Sequence, residues 1–413
     1  MRQVVPKRCL LDPVVTFVVG ELGTKAFRIK TMRSLSVLII YLLAGSLLLA
    51  IPQERESGSE ATAELLSELH PVEVVQAANP ETFKAQAINA VNHGNDLWDE
   101  GRYARSLASY QLAVSLRPDL FAAQYNLGIA FLRMQNLERA EAAFRQAVRL
   151  KGKSALAWEA LGITQFRQKQ YGEALESLQT ANGISSADAN LTNNLGFAYL
   201  QTSRFSEAVT SFRRALELDS SFVSSRLGLC IASVLGHQFK EGINICLEVA
   251  RAEENSAVPS YMLGLAYLRV EQPEKALHSL TQAATIEPES AQIYSSLGFA
   301  HYQLQDYETA LKSFSRALRL DPDITEARTG LGSTYFQLKK YDESKRALMK
   351  AVSEDPDDAT ARLNLGLVCL VRDDRDCALR QYNYLKTRDE SSAQTLFKFI
   401  VQGRVIDAGQ NPN

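Results

Sequence analysis

Five cysteines (Cys9, Cys230, Cys246, Cys369 and Cys377) and five histidines (His70, His93, His237, His278 and His301) are the residues of this 413-residue chain best suited to metal or redox chemistry. No two cysteines form a C-x-x-C pair, and no cysteine shares a metal-ligand spacing with a histidine. The histidines have no common ligand spacing either, so no metal and no cofactor is expected. A phosphate-binding G-x-x-x-x-G-K-[ST] loop, a G-x-S-x-G nucleophile turn and an H-E-x-x-H zinc helix are all missing from the sequence. No catalytic residue is assigned, and the expectation is a protein that is not an enzyme. An odd cysteine count argues against a complete disulfide framework and leaves the redox compartment open.

Composition narrows the partners. The chain carries 45 Lys and Arg against 47 Asp and Glu, a formal net charge of -2. Phosphate neutralisation needs a basic excess, so nucleic acid is not an expected partner.

The elements that position these residues follow from a repeat. Leu-Gly occurs at Leu127-Gly128, Leu161-Gly162, Leu195-Gly196, Leu263-Gly264, Leu297-Gly298, Leu331-Gly332 and Leu365-Gly366, at 34-residue steps with one double step. Gly94 extends the series backwards, and Leu229-Cys230 fills the gap. With Gly94 as position 8, nine repeats start at 87, 121, 155, 189, 223, 257, 291, 325 and 359 without an insertion. Position 20 is mostly Ala (Ala140, Ala174, Ala208), position 27 is Ala in seven repeats, and position 24 is large (Tyr110, Phe144, Leu178, Phe212). Position 32 is Pro118, Pro288, Pro322 and Pro356. Small residues at 8, 20 and 27 allow two antiparallel helices to cross closely. The large residue at 24 should fill the space between neighbouring repeats, and proline should start the turn into the next. A single pair cannot bury its apolar face, so the repeats must stack.

Trp158-x-x-Leu161-Gly162 and Leu195-Gly196-x-x-Tyr199…Ala208-x-x-x-Phe212 resemble the tetratricopeptide repeat family, over about three quarters of the chain. The resemblance implies an all-α fold, a right-handed α-solenoid of nine 34-residue helix-turn-helix (TPR) repeats. A C-terminal capping helix is expected over 391–413 (with the tail), with Ala393, Leu396, Phe397 and Ile400 at helical spacing. It also implies a concave groove that binds peptides, with helix A positions 2, 5, 6, 9, 12 and 13 facing it. In that groove the candidate residues are Asn95, Tyr125, Asn126, Arg133, Arg167 and Asn193, then Asn194, Phe197, Tyr261, Arg269, Tyr302 and Asn364. Asn126, Asn194 and Asn364 share position 6, where an amide could hold an extended backbone or simply fill space. The carboxylate clamp of the family's co-chaperone members is not expected, because Val91, Leu156 and Ala160 replace its cations. Repeat five departs most, with Cys230 at 8, Gly242 at 20 and Cys246 at 24. The two cysteines should face each other, either as a disulfide or as the buried free thiols commoner at such sites. His93 and His301, at positions 7 and 11, should face the core. A glycine inside a helix, as at 242, should cost about 1 kcal/mol against alanine.

Outside the array, residues 80–390, the N-terminal part has its own organisation. Leu35 to Ile51 is apolar and uncharged, after Arg28, Lys30 and Arg33 and before Glu54, Glu56 and Glu60. This charge order puts the repeats on the extracytoplasmic side, periplasmic or secreted. Residues 32–51 are either a cleaved signal peptide or a signal-anchor helix, the membrane contact if uncleaved. Residues 1–31 are a cytoplasmic extension, or lie before a true start at Met32, and 52–79 are an acidic linker. Asn79-Pro80-Glu81 carries a helix-start signature. The expected function is a protein–protein interaction scaffold, whose partners are proteins or peptides. A substrate-recruiting subunit of a separate enzyme, such as a glycosyltransferase or an envelope-assembly or export complex, and a self-assembling element are the alternatives.

Overall fold

A computed structural model describes residues 80–402. The readings for residues 1–31, 32–51 and 52–79, and for the end of the tail, lie outside the described residues. All regular structure among the described residues is helical. The chain divides into two compact units, with the boundary between Gly228 and Leu229.

The first unit contains α1 (Pro80–Asp99), α2 (Tyr103–Leu116), α3 (Phe121–Arg133), α4 (Leu137–Leu150), α5 (Ala155–Arg167), α6 (Tyr171–Ile184), α7 (Ala189–Gln201) and α8 (Phe205–Leu218). The boundary falls inside α9 (Val223–Leu235). The second unit continues with α10 (Phe239–Ala252), α11 (Ala257–Arg269), α12 (Pro273–Ile286), α13 (Ala291–Gln303) and α14 (Tyr307–Leu320). It ends with α15 (Thr325–Gln337), α16 (Tyr341–Glu354), α17 (Ala359–Val371), α18 (Arg375–Leu385) and α19 (Glu390–Gln402). From α3 to α17 the odd-numbered helices begin at 121, 155, 189, 223, 257, 291, 325 and 359. The first described helix runs from Pro80, the first described residue. Among the described residues no helix is long and apolar enough to cross a membrane.

Close helix crossings explain the spacing of small residues. A Cβ added at Gly128, Gly162, Gly196, Gly264, Gly298 or Gly332 would come within 3 Å of the position-24 side chain of its own repeat. Position 24 is therefore first a partner of position 8, within the pair. It also reaches the next repeat: Phe212 lies against both Gly196 and Gly228, and Phe314 against both Gly298 and Gly330. Both rings are fully buried, each contributing about 2–3 kcal/mol. Where position 20 is serine, the hydroxyl is satisfied locally: Ser106 and Ser344 each donate at 2.7 Å to the position-8 carbonyl, of Gly94 and Gly332.

The turns between paired helices share one geometry. Gly101, Gln135, Lys169, Ser203, His237, Glu271, Gln305, Lys339 and Asp373 all have φ between 56° and 78°, in the left-handed region. Each ends its helix with paired backbone bonds, as when Asn136 N–H donates to Phe131 O and Gln135 N–H to Leu132 O. Side chains then cap several of the following helices, including Asn136 and Asp306.

Repeat five replaces the glycine–aromatic crossing with a bond. Cys230 and Cys246, at positions 8 and 24, form a disulfide with Cα atoms 5.0 Å apart, so the commoner free-thiol state is not the one seen. A second disulfide joins Cys369 and Cys377 across the turn of repeat nine, which spacing alone did not suggest. At Gly242, where alanine has the better helix propensity, a Cβ would sit 2.9 Å from Val234 Cγ2. His93, expected in the core, is exposed: no described helix precedes α1 to cover that face. His301 is half-buried, with Nδ1 3.5 Å from Asp306.

The terminal helix α19 closes the second unit. Leu396 is fully buried and takes the place over Gly366 that position 24 takes elsewhere. Ala393 and Ile400 are buried beside it. Phe397 stays 47% exposed and packs at 5.3 Å against Tyr382.

Candidate peptide-binding groove

In the first unit, the amides at candidate groove positions are bonded between repeats. Asn95 Oδ1 accepts from the Tyr110 hydroxyl at 2.8 Å and from Asn126 Nδ2 at 2.9 Å. Asn194 Nδ2 donates to Glu159 Oε1 at 3.1 Å. Asn193 Oδ1 accepts from Ser225 at 2.9 Å and Ser224 at 3.2 Å. Tyr125 and Phe197 are buried against Phe144 and Phe212, edge to face. Asn95, Tyr125, Asn126, Asn193, Asn194 and Phe197 are each at most 6% exposed, so they shape the wall from within. Arg133 is exposed and stacks 4.9 Å from the Tyr103 ring centroid. Arg167 is half-buried, with Nη1 3.5 Å from the Leu132 carbonyl. These arginines are the first unit's accessible cations among the candidate residues.

Glu159, on α5, is an electrostatic outlier of this unit. Burial raises its carboxyl to about 7, the nearby Asp188 adds to the shift, and the Asn194 amide opposes it. The group is thus near half-protonation at neutral pH.

Position 6 meets position 24 of the preceding repeat at Gly228, against Phe212, and at Gly330, against Phe314. In the sequence Phe144 precedes Ala160 and the smaller Leu178 and Leu348 precede Asn194 and Asn364, whereas Tyr110 precedes Asn126 and departs from that size order. Cys246, the smallest at position 24, precedes Met262. Asn364 Nδ2 donates to Ser333 Oγ at 2.7 Å, the same step between repeats that Asn126 makes to Asn95.

The second unit has an open cavity of about 1120 Å³ along its first helices, α11, α13, α15 and α17. Fully buried Tyr261 forms part of its floor with Leu265 and Phe299, and Arg269 stands exposed at its edge. Tyr302 and Asn364, both half-buried, are not part of this lining; the Tyr302 hydroxyl accepts from Gln337 Nε2 at 3.1 Å. Sequence reasoning missed the far wall: Asp355, Asp357 and Asp358 on the turn into α17, Tyr384 on α18, and Arg388 and Asp389 beyond it. The signal was the run Asp355-Pro356-Asp357-Asp358, in which only the proline was read, as a turn.

Family models described as Tetratricopeptide repeat match residues 91–155, 125–189 and 261–323, residues 302–365, and residues 189–222. The chain belongs to the tetratricopeptide repeat family. Among solved structures, it is similar to YrrB, described as a TPR protein with an unusual peptide-binding site. That match has 22% identity and a TM-score of 0.41, over 45% of this chain and 95% of that one. PilW, described as a widely conserved type IV pilus biogenesis factor, matches at 20% identity and a TM-score of 0.45, over 51% of this chain and 98% of that one. The APC/C hetero-tetramer Cut9-Hcn1 matches at 14% identity and a TM-score of 0.48, over 82% of this chain and 92% of that one. A comparison with curated protein sequences finds no match.

Proposed function

We propose that this protein is a non-catalytic, extracytoplasmic scaffold that binds peptide segments of other proteins along the faces of its first helices. It is either tethered by residues 32–51 or released after their removal. The observation that carries the reading is the open cavity along four successive first helices of the second unit, apolar at its floor and polar at its walls. Family membership supports protein interaction in general. Basic residues before the apolar stretch and acidic ones after it support the location. So do the two disulfides, since such bonds persist in oxidising compartments.

The test captures partners of the full chain from native membranes. Beside wild type stand Arg269→Ala/Phe299→Ala for the second unit and Arg133→Ala/Arg167→Ala for the first. A partner held by wild type and lost by one pair establishes that face as the working surface. Identical partners in all three would move binding to the opposite face or the linker and remove the groove reading. Protease added after permeabilising the outer layer should digest the repeats; full protection would overturn the location.

A further inference from the structure

The cavity of the second unit is strongly unbalanced in charge. Six carboxylates line it (Glu271, Glu326, Asp355, Asp357, Asp358 and Asp389) against three arginines, Arg269, Arg362 and Arg388. Two of the three arginines are already engaged. Arg388 Nε lies 3.1 Å from Asp357 Oδ1, and its guanidinium stacks on Tyr384 at 4.1 Å. Arg362 is 8% exposed, sits 3.3 Å from the same ring, and donates to the Pro356 carbonyl at 2.5 Å and to Gln381 at 3.0 Å. Asp357 is the one carboxylate of the six with an ion-pair partner among the described residues that line the cavity. Asp358 instead accepts from the Thr329 hydroxyl at 2.7 Å and caps Ala361 N–H at 2.9 Å. Asp389 caps Ser392. Burial, with Asp358 and Asp357 beside it, raises Asp355 despite Arg362, as expected where anions outnumber their counter-charges.

Apolar lining residues recur along the same cavity: Leu265 and Leu268 on α11, Phe299 on α13, Ile324 just before α15 and Leu385 at the end of α18. Recurring apolar residues flanked by surplus carboxylates fit a chain whose side chains alternate between apolar and cationic. In an extended segment, alternate residues point to opposite faces. Three steps between neighbouring first helices span about 25–30 Å, which eight or nine extended residues cover at about 3.3 Å each. We propose that this cavity takes an extended, cationic segment of a partner protein, with Lys or Arg alternating with apolar residues. The corner formed by Tyr384 and Asp357 already holds two guanidinium groups of the chain itself. Asp355, Asp358 and Glu326 remain to pair with incoming cations. The inference rests on the groove reading above and adds the ligand's chemistry to it.

The test measures fluorescence anisotropy of three labelled nine-residue peptides against the full chain: alternating Lys and Leu, alternating Gln and Leu, and alternating Glu and Leu. The Lys peptide should bind at least tenfold tighter than the Gln peptide, with the Glu peptide weakest, and its affinity should fall with added salt. Glu326→Gln/Asp355→Asn/Asp358→Asn keeps shape and caps and should lose at least tenfold for the Lys peptide. Glu138→Gln, in the first unit, should change nothing, and circular dichroism should show both variants folded. Unchanged binding by the triple variant overturns the proposal. If the Gln peptide binds as well as the Lys peptide, and Phe299→Ala abolishes both, the charge preference falls while the groove stands. If no peptide binds at millimolar concentration, the groove reading fails with it. Self-association of the full chain that the triple variant dissolves would assign the cavity to a second copy and overturn the proposal.

Discussion

Phe212 and Gly228 show how a single position is chosen by its neighbour in the next repeat. A side chain at 228 would collide with the Phe212 ring, whereas at the matching positions one repeat earlier Asn194 follows the smaller Leu178. Gly228→Asn should destabilise the first unit by about 2–3 kcal/mol through overpacking. Phe212→Leu alone should cost about 1 kcal/mol. Together they recreate the pairing of Leu178 with Asn194, so the double variant should be more stable than Gly228→Asn by at least about 1 kcal/mol in urea melts. Strict additivity would refute the size compensation. Glu159 makes a second prediction at this scale. Its folded value, about 7, lies above the ordinary 4.5, so the fold holds the proton more tightly than the unfolded chain. Its stabilising contribution is then complete below pH about 4.5 and lost as pH rises through about 7, up to about 3 kcal/mol in all. Glu159→Gln should match wild type near pH 4 and exceed it near pH 8. Parallel stability profiles for the two proteins would contradict the assignment.

Among the elements, the turn inside each repeat is the recurrent strain. Eight of its nine left-handed residues are not glycine. Such a conformation costs an L residue about 1–2 kcal/mol, part of which a glycine forfeits through its floppier unfolded chain. Gln305 is exposed, with φ 62°, and its side chain has no hydrogen bond or ion pair among the described residues. Gln305→Gly should raise stability by about 0.5–1 kcal/mol, read as a shift in the urea midpoint; a loss would mean the turn relies on the side chain. Gly242 offers the contrast. It lies inside a helix where alanine has the better propensity, yet the Val234 side chain leaves no room for a methyl group.

At the scale of the whole molecule, a repeat chain draws its stability from each unit and its immediate neighbours. Covalent links at repeats five and nine therefore act where they lie. The Cys230–Cys246 link closes a separation of 16 residues and constrains the unfolded chain by about 3 kcal/mol. Reduction should lower the midpoint of unfolding. Alkylation of the unfolded, unreduced protein should spare Cys230, Cys246, Cys369 and Cys377. Free thiols at these four positions would contradict the paired state and weaken the extracytoplasmic reading with it.

The 34-residue period, the helix starts from 121 onward and the small residues at the crossings were legible in the sequence, because close packing of two helices restricts side-chain size wherever it recurs. Of the four apolar residues singled out for the capping helix, Ala393, Leu396 and Ile400 are buried as expected. Periodicity could not say which polar residues remain available. Asn95, Asn126 and Asn194 occupy groove positions by number, but they are buried, and bonds between repeats engage Asn95 Oδ1, Asn126 Nδ2 and Asn194 Nδ2. Nor could it join Cys369 to Cys377, or gather Asp355, Asp358, Glu326 and Asp389 into one wall, since these residues come from turns and from helices of different repeats. A repeated sequence determines what must be small and what must be buried. Which charges meet across the repeats, and which side chains stay open to a partner, was decided only when the helices packed.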